Sequence, residues 1–138
     1  MKHFFSLFFL FSITFLNAQQ ADFVDFKKVE AVILFNQIEV DSTVFNSYEL
    51  KFDILKPTDS IYLDAINMRF ENVALNNKSI KFKNDGKKLI IYNDFEASTS
   101  YKLNFLFFAQ PKKAMYFIGW DNAARNQIWT QGQGKIHK

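Results

Sequence analysis

Short alternations of apolar and polar residues run along most of the chain. Tyr48, Leu50, Phe52 and Ile54 are separated by Glu49, Lys51 and Asp53. That is the period of two expected of a half-buried strand, whose successive side chains leave opposite faces. Ile66, Met68 and Phe70 alternate with Asn67, Arg69 and Glu71, and Ile80 and Phe82 alternate with Lys81 and Lys83. Asn84-Asp85-Gly86 then reads as a turn, Asp-Gly supplying the positive φ angles of a tight hairpin, and Lys88 to Tyr92 reads as the returning strand. Residues 24–35 and 61–65 add two strands. Tyr101 to Phe108 alternates at first and is then apolar on both sides, which predicts a strand running deep between two layers. Tyr116-Phe117-Ile118 and Ile128-Trp129-Thr130 read as two more, joined through Gly119 to Asn122. No stretch holds a helical period over three turns. Seven or so short strands before that last pair, with Asn, Asp, Gly and Ser turns, predict an all-β fold, an antiparallel β-sandwich. Pro57 and Pro111 sit just after strands, where a missing N–H does least harm.

The first residues break this pattern. Lys2 and His3 precede an apolar run, Phe4 to Leu16, interrupted only by Ser6, Ser12 and Thr14 and followed by Asn17-Ala18. A basic start, a short apolar segment and a small residue at the end describe a helical signal peptide cleaved after Ala18. The run falls short of the roughly 20 apolar residues of a spanning helix. The sequence therefore divides into a signal peptide, residues 1–18, and one domain, residues 19–138. Export to the periplasm or the medium is expected, with no membrane span after the signal is removed.

Composition narrows the picture further. The chain has no Cys, so no disulfide reinforces the exported domain and its core must supply the stability. Six of the eighteen Phe lie in the signal segment, and the remainder still suffice for a core. The formal charge of +3 falls by one with Lys2 and is evenly spread, which argues against a nucleic-acid partner.

Candidate chemistry is sparse. The two His are His3 and His137; there is no HExxH, no GxSxG and no phosphate-binding loop. No catalytic residue and no metal ligand is assigned. Asp22 with Asp25, and Asp59 with Asp64, read as solvated turn residues rather than acid–base pairs. Asn77-Lys78-Ser79 is a formal glycosylation sequon in a turn. Taken alone, Trp120 and Trp129 read as core or rim packing.

The order of elements carries more information than any one of them. "YLDA" at 62–65, "DGKKLIIY" at 85–92, "YKLNFLFFAQPKKAMYFI" at 101–118 and "IWTQGQG" at 128–134 together resemble the N-terminal domain of the zinc aminopeptidases typified by aminopeptidase N and leukotriene hydrolase. The resemblance implies a saddle-like β-sandwich that caps a separate zinc-bearing catalytic domain. It also implies that the Thr-Gln-x-x loop reaches the active site. Gln131 would then line the pocket for the substrate's first side chain, and Gln133 would stand where the family's usual Glu meets the substrate α-amine. Gly132 and Gly134 fit a backbone passing close to a ligand. Gln at position 133 removes a negative charge that would pair with an ammonium, so strict aminopeptidase specificity is not implied.

The family continues with further sandwich strands and the HExxH domain, whereas here Lys135-Ile136-His137-Lys138 follow. The expectation is a C-terminally truncated, non-catalytic domain with no cofactor of its own, zinc belonging to the full-length relatives. Its partner would be a catalytic zinc-peptidase domain, or a separately encoded chain, with a peptide substrate bound only in that context. The alternative is a stand-alone exported binding module in which Trp120, Trp129 and Gln131 form a contact surface for peptide or glycan.

Overall fold

The computed structural model describes residues 20–37, 41–113, 115–120 and 125–131. The predicted signal peptide lies outside them. Ten strands follow a single 3-10 turn at Gln20–Asp22. They are β1 (Val24–Gln37), β2 (Thr43–Ile54), β3 (Thr58–Asp64), β4 (Met68–Leu75), β5 (Lys78–Ser79), β6 (Phe82–Asn84), β7 (Lys88–Phe95), β8 (Ser100–Ala109), β9 (Met115–Ile118) and β10 (Gln127–Thr130). Among the described residues the fold is built of strands and every pairing is antiparallel. Among the described residues no helix is long and apolar enough to cross a membrane.

One sheet has the order β1-β2-β8-β4-β5 and a second the order β3-β7-β6; β9 and β10 form a separate hairpin. The alternation in the sequence explains how the first two meet. Leu50, Phe52 and Ile54 of β2 and Leu103, Phe105 and Phe107 of β8 point to one face and are buried. Ile61 of β3 and Leu89, Ile91 and Phe95 of β7 point back at them, and all belong to one apolar cluster. Two sheets thus share a single core, each hiding the face that its period of two makes apolar.

Two bulges keep the pattern in step. β4 shifts register between Glu71 and Ala74, where Asn72 takes φ 52°. Phe70 before the shift and Val73 and Leu75 after it therefore all reach the core. β1 shifts between Phe26 and Lys28, so Val24, Phe26 and then Val29 lie opposite Ile54, Phe52 and Leu50.

Three expectations need correction. Ile66 is not part of a strand; it lies in the turn before β4 and is 67% exposed. β8 is the central strand of its sheet, but it does not run between two covering layers. Its outer face carries Lys102, Asn104, Leu106 and Phe108, all half-buried. The apolar character there reflects a local cluster, with Phe45 and Phe108 5.0 Å apart and the Arg69 guanidinium 4.2 Å above the Phe108 ring. In the β6–β7 turn only Gly86 takes positive φ, at 85°. Asp85 contributes through its side chain instead, accepting the N–H of Lys87 at 2.8 Å and of Lys88 at 2.6 Å.

Candidate functional site

The sequence points to the segment around Trp120 and Trp129, and the structure places it on the β9–β10 hairpin. Gln127 faces Ile118, Ile128 faces Phe117, Trp129 faces Tyr116 and Thr130 faces Met115. Because directly opposed residues share a face, Tyr116, Ile118 and Trp129 line one side, and all three are exposed. Trp129 is 60% exposed, and its indole Nε1–H donates to Gln127 Oε1 at 2.9 Å. Met115 and Phe117 on the other side are half-buried.

The hairpin is tied to the body by aromatic edges. Phe117 meets Phe35 of β1 with ring centroids 6.4 Å apart, and Trp120 packs edge-on against Phe117 at 6.0 Å. Gly119 between them is buried with φ 92°, a conformation that a side chain disfavours. Neither Trp therefore belongs to the core; Trp120 has a packing role at the hairpin base and Trp129 faces outward. Of the core or rim packing expected of both, Trp120 takes the rim position and Trp129 neither.

Gln131 follows Thr130 directly and is exposed. Thr130 pairs with Met115, so Gln131 emerges at the open end of the hairpin, beside the chain leaving β8, and not at the Gly119 end. A hollow of about 380 Å³ along β9 is lined by Ser42, Pro111, Lys112 and Met115 to Ile118, and Gln131 is not among its walls. Gly132, Gln133 and Gly134 lie outside the described residues.

A second hollow, about 500 Å³, opens at the same end of the large sheet, lined by Asp41, Thr43, Asn67, Arg69, Phe108 and Gln110 among others. The Gln110 amide donates to Asp41 O and Thr43 Oγ1, each at 3.3 Å, and Arg69 pairs with Glu71. These are hydrogen-bonding and orienting groups. Sequence reasoning missed this hollow, because Arg69 and Gln110 look like ordinary strand-surface residues and only the β4–β8 pairing brings them together.

Elsewhere, charge is organised along the outer face of the large sheet. Glu49 accepts from Asn104 Nδ2 at 3.3 Å and lies 3.4 Å from Lys51 Nζ and 3.5 Å from Lys102 Nζ. The Asn104 hydrogen bond, then the lysines, hold its carboxyl below the usual range. Among the described residues no three His, Cys, Asp or Glu side chains converge into a group that could hold a metal ion.

No protein-family model matches the sequence, and no curated protein matches it. The fold, by contrast, has clear likenesses among solved structures. A two-domain M1 zinc metallopeptidase mutant bound to L-tryptophan superposes with a TM-score of 0.60 at 12% identity, over 67% of this chain and 22% of that one. The M1 zinc metallopeptidase from Deinococcus radiodurans gives 0.57 at 11%, over 67% and 21%. Leukotriene A4 hydrolase from Saccharomyces cerevisiae gives 0.55 at 14%, over 72% and 17%. The fold is that of one part of these multidomain metallopeptidases, and the chain spans about a fifth of their length.

Proposed function

We propose that this chain is an N-terminal domain of the zinc aminopeptidase type, non-catalytic itself, that caps an active site carried by another domain or chain and contacts the peptide N-terminus. The observation that carries this reading is the shared fold with M1 zinc metallopeptidases over two thirds of the chain. The exposed position of Gln131 at the hairpin's open end supports it, since a capping domain must present its substrate contacts outward. A saddle-like sandwich, and export by the N-terminal segment, belong to the same reading and rest on the sequence.

A chimera tests it. This chain would replace the matching part of the Deinococcus radiodurans metallopeptidase, and zinc-dependent cleavage of aminoacyl-anilides would be measured. Restored cleavage that falls on Gln131→Ala is the expected result. A folded, zinc-loaded chimera inert towards every aminoacyl-anilide overturns the proposal.

One observation favours the second reading, a stand-alone binding module: Tyr116, Ile118 and Trp129 form an outward apolar face. Peptide or glycan binding by the chain alone, lost on Trp129→Ala, would select it.

A further inference from the structure

The sheet edges of the described structure are not treated alike. β5 and β6 are short, two and three residues. The free edge of β3 is met by Gln20, whose amide donates to Tyr62 O at 2.8 Å and whose Oε1 accepts from Tyr62 N–H at 2.6 Å. β1 differs in every respect: it spans 14 residues, pairs among the described residues only with β2, and exposes apolar side chains on both faces. Val29 and Ile33 lie on the core side and Val32 and Leu34 on the outer side, Val32 being 59% exposed. A long apolar edge with unpaired N–H and C=O groups is a template for another strand.

The register of β1 indicates which strand fits. Its pairing with β2 is irregular between Phe26 and Lys28 and again between Leu34 and Gln37. Between these breaks, Lys28 to Leu34 is a regular seven-residue ladder centred on Ala31. We propose that a second copy of this chain pairs antiparallel along the free edge of β1 about a two-fold axis at Ala31, joining two five-stranded sheets into one.

Three features of the segment make it self-complementary. Rotation about Ala31 uses the whole regular stretch and brings like faces together, with Val29 opposite Ile33 on the core side and Val32 opposite Glu30 on the outer side. No like charges meet: Lys28 falls opposite Leu34, and Glu30 opposite Val32. Shifting the axis to Glu30 would instead oppose two carboxylates, which destabilises a pair. Ala31, the smallest side chain of the ladder, lies on the axis, where the same side chain of both copies is directly opposed. The interface is isologous and uses the edge once on each copy, so assembly stops at a dimer.

Charge variants at one exposed position test the register. Val32→Glu and Val32→Lys remove the same apolar group, but only the first sets like charges against Glu30 of the second copy, twice by symmetry. Sedimentation of the full chain over concentrations up to about 1 mM should show a dimer whose dissociation constant is roughly tenfold weaker for Val32→Glu than for Val32→Lys. Equal weakening by both, or a wild-type chain monomeric throughout, overturns the proposal.

The chain has no Cys, so single cysteines report geometry cleanly. Ala31→Cys should form an intermolecular disulfide on mild oxidation. Val29→Cys should not, because its two copies would lie about 14 Å apart along the strands, beyond disulfide reach. Equal cross-linking at both positions would also overturn the assigned axis.

Discussion

Phe52 of β2 and Phe95 of β7 meet edge-on across the two sheets, with ring centroids 6.0 Å apart, and both are buried. Tyr101 of β8 completes the junction, stacked 5.7 Å from Phe52 and edge-on 5.1 Å from Phe95. Three strands of two sheets thus depend on one aromatic contact set. Phe95→Ala should cost about 3–5 kcal/mol, the range for emptying a large buried aromatic site. Against a typical stability of about 5–15 kcal/mol, that leaves the domain marginal or unfolded. Phe95→Leu keeps most of the volume and should cost less than half as much. Urea unfolding followed by circular dichroism measures both, and equal costs would show that the ring geometry contributes more than volume.

Gly86 carries φ 85° in the β6–β7 turn, and a Cβ added there would meet no atom within 4 Å. The cost of a side chain is therefore purely conformational. Gly86→Ala should destabilise by about 1–2 kcal/mol, and Gly86→Asn by less, because Asn tolerates the left-handed region. Thermal melts of the two variants give the comparison. A neutral Gly86→Ala would mean that the turn relaxes to another type.

Asp85 accepts the backbone N–H groups of Lys87 and Lys88, and those bonds hold its carboxyl below the ordinary 3.8. A depressed folded value means the unfolded chain binds the proton first. The contribution is present above the ordinary value and is lost as pH falls through the lower, folded one. The amide shifts of Lys87 and Lys88 should titrate with an apparent pKa below 3.8, and Asp85→Asn should abolish that titration. A midpoint at or above the ordinary value would contradict the turn geometry.

The inner faces of the two sheets were legible because burial on one side writes itself as alternation. Leu50, Phe52 and Ile54 follow that rule. The bulges leave a fainter trace: the apolar parity changes between Phe70 and Val73 and again between Phe26 and Val29. Ile66 misled because an apolar residue in a turn can continue a period by chance. The outer face of β8 misled because Phe108 looks buried in sequence, while its cover is one Phe and one Arg from neighbouring strands. The hairpin carrying Trp129 was legible as an element. Its outward face was not, since orientation depends on which side Phe35 anchors. The hollow beside Gln110 left no local signal, because its residues come from three separate segments.

The hairpin's two faces should separate in their mutational response. Phe117 holds β9 to β1 through Phe35 and supports Trp120, whereas Trp129 faces solvent and bonds only Gln127 among the described residues. Phe117→Ala should therefore loosen the hairpin as a unit, lowering hydrogen-exchange protection of the β9–β10 amides while the β2 and β8 amides keep theirs. Trp129→Ala should change global stability by less than about 0.5 kcal/mol, as exposed substitutions do. With only two Trp in the chain, fluorescence reads both sites. Trp129→Ala leaves the half-buried Trp120 as sole reporter, with bluer emission than wild type and weaker iodide quenching. Adding Phe117→Ala to that background should shift the remaining emission to the red, because the ring shielding Trp120 is gone. An unshifted spectrum would show that Trp120 draws its shelter from elsewhere, and that the Phe35–Phe117 contact is not what fixes the hairpin.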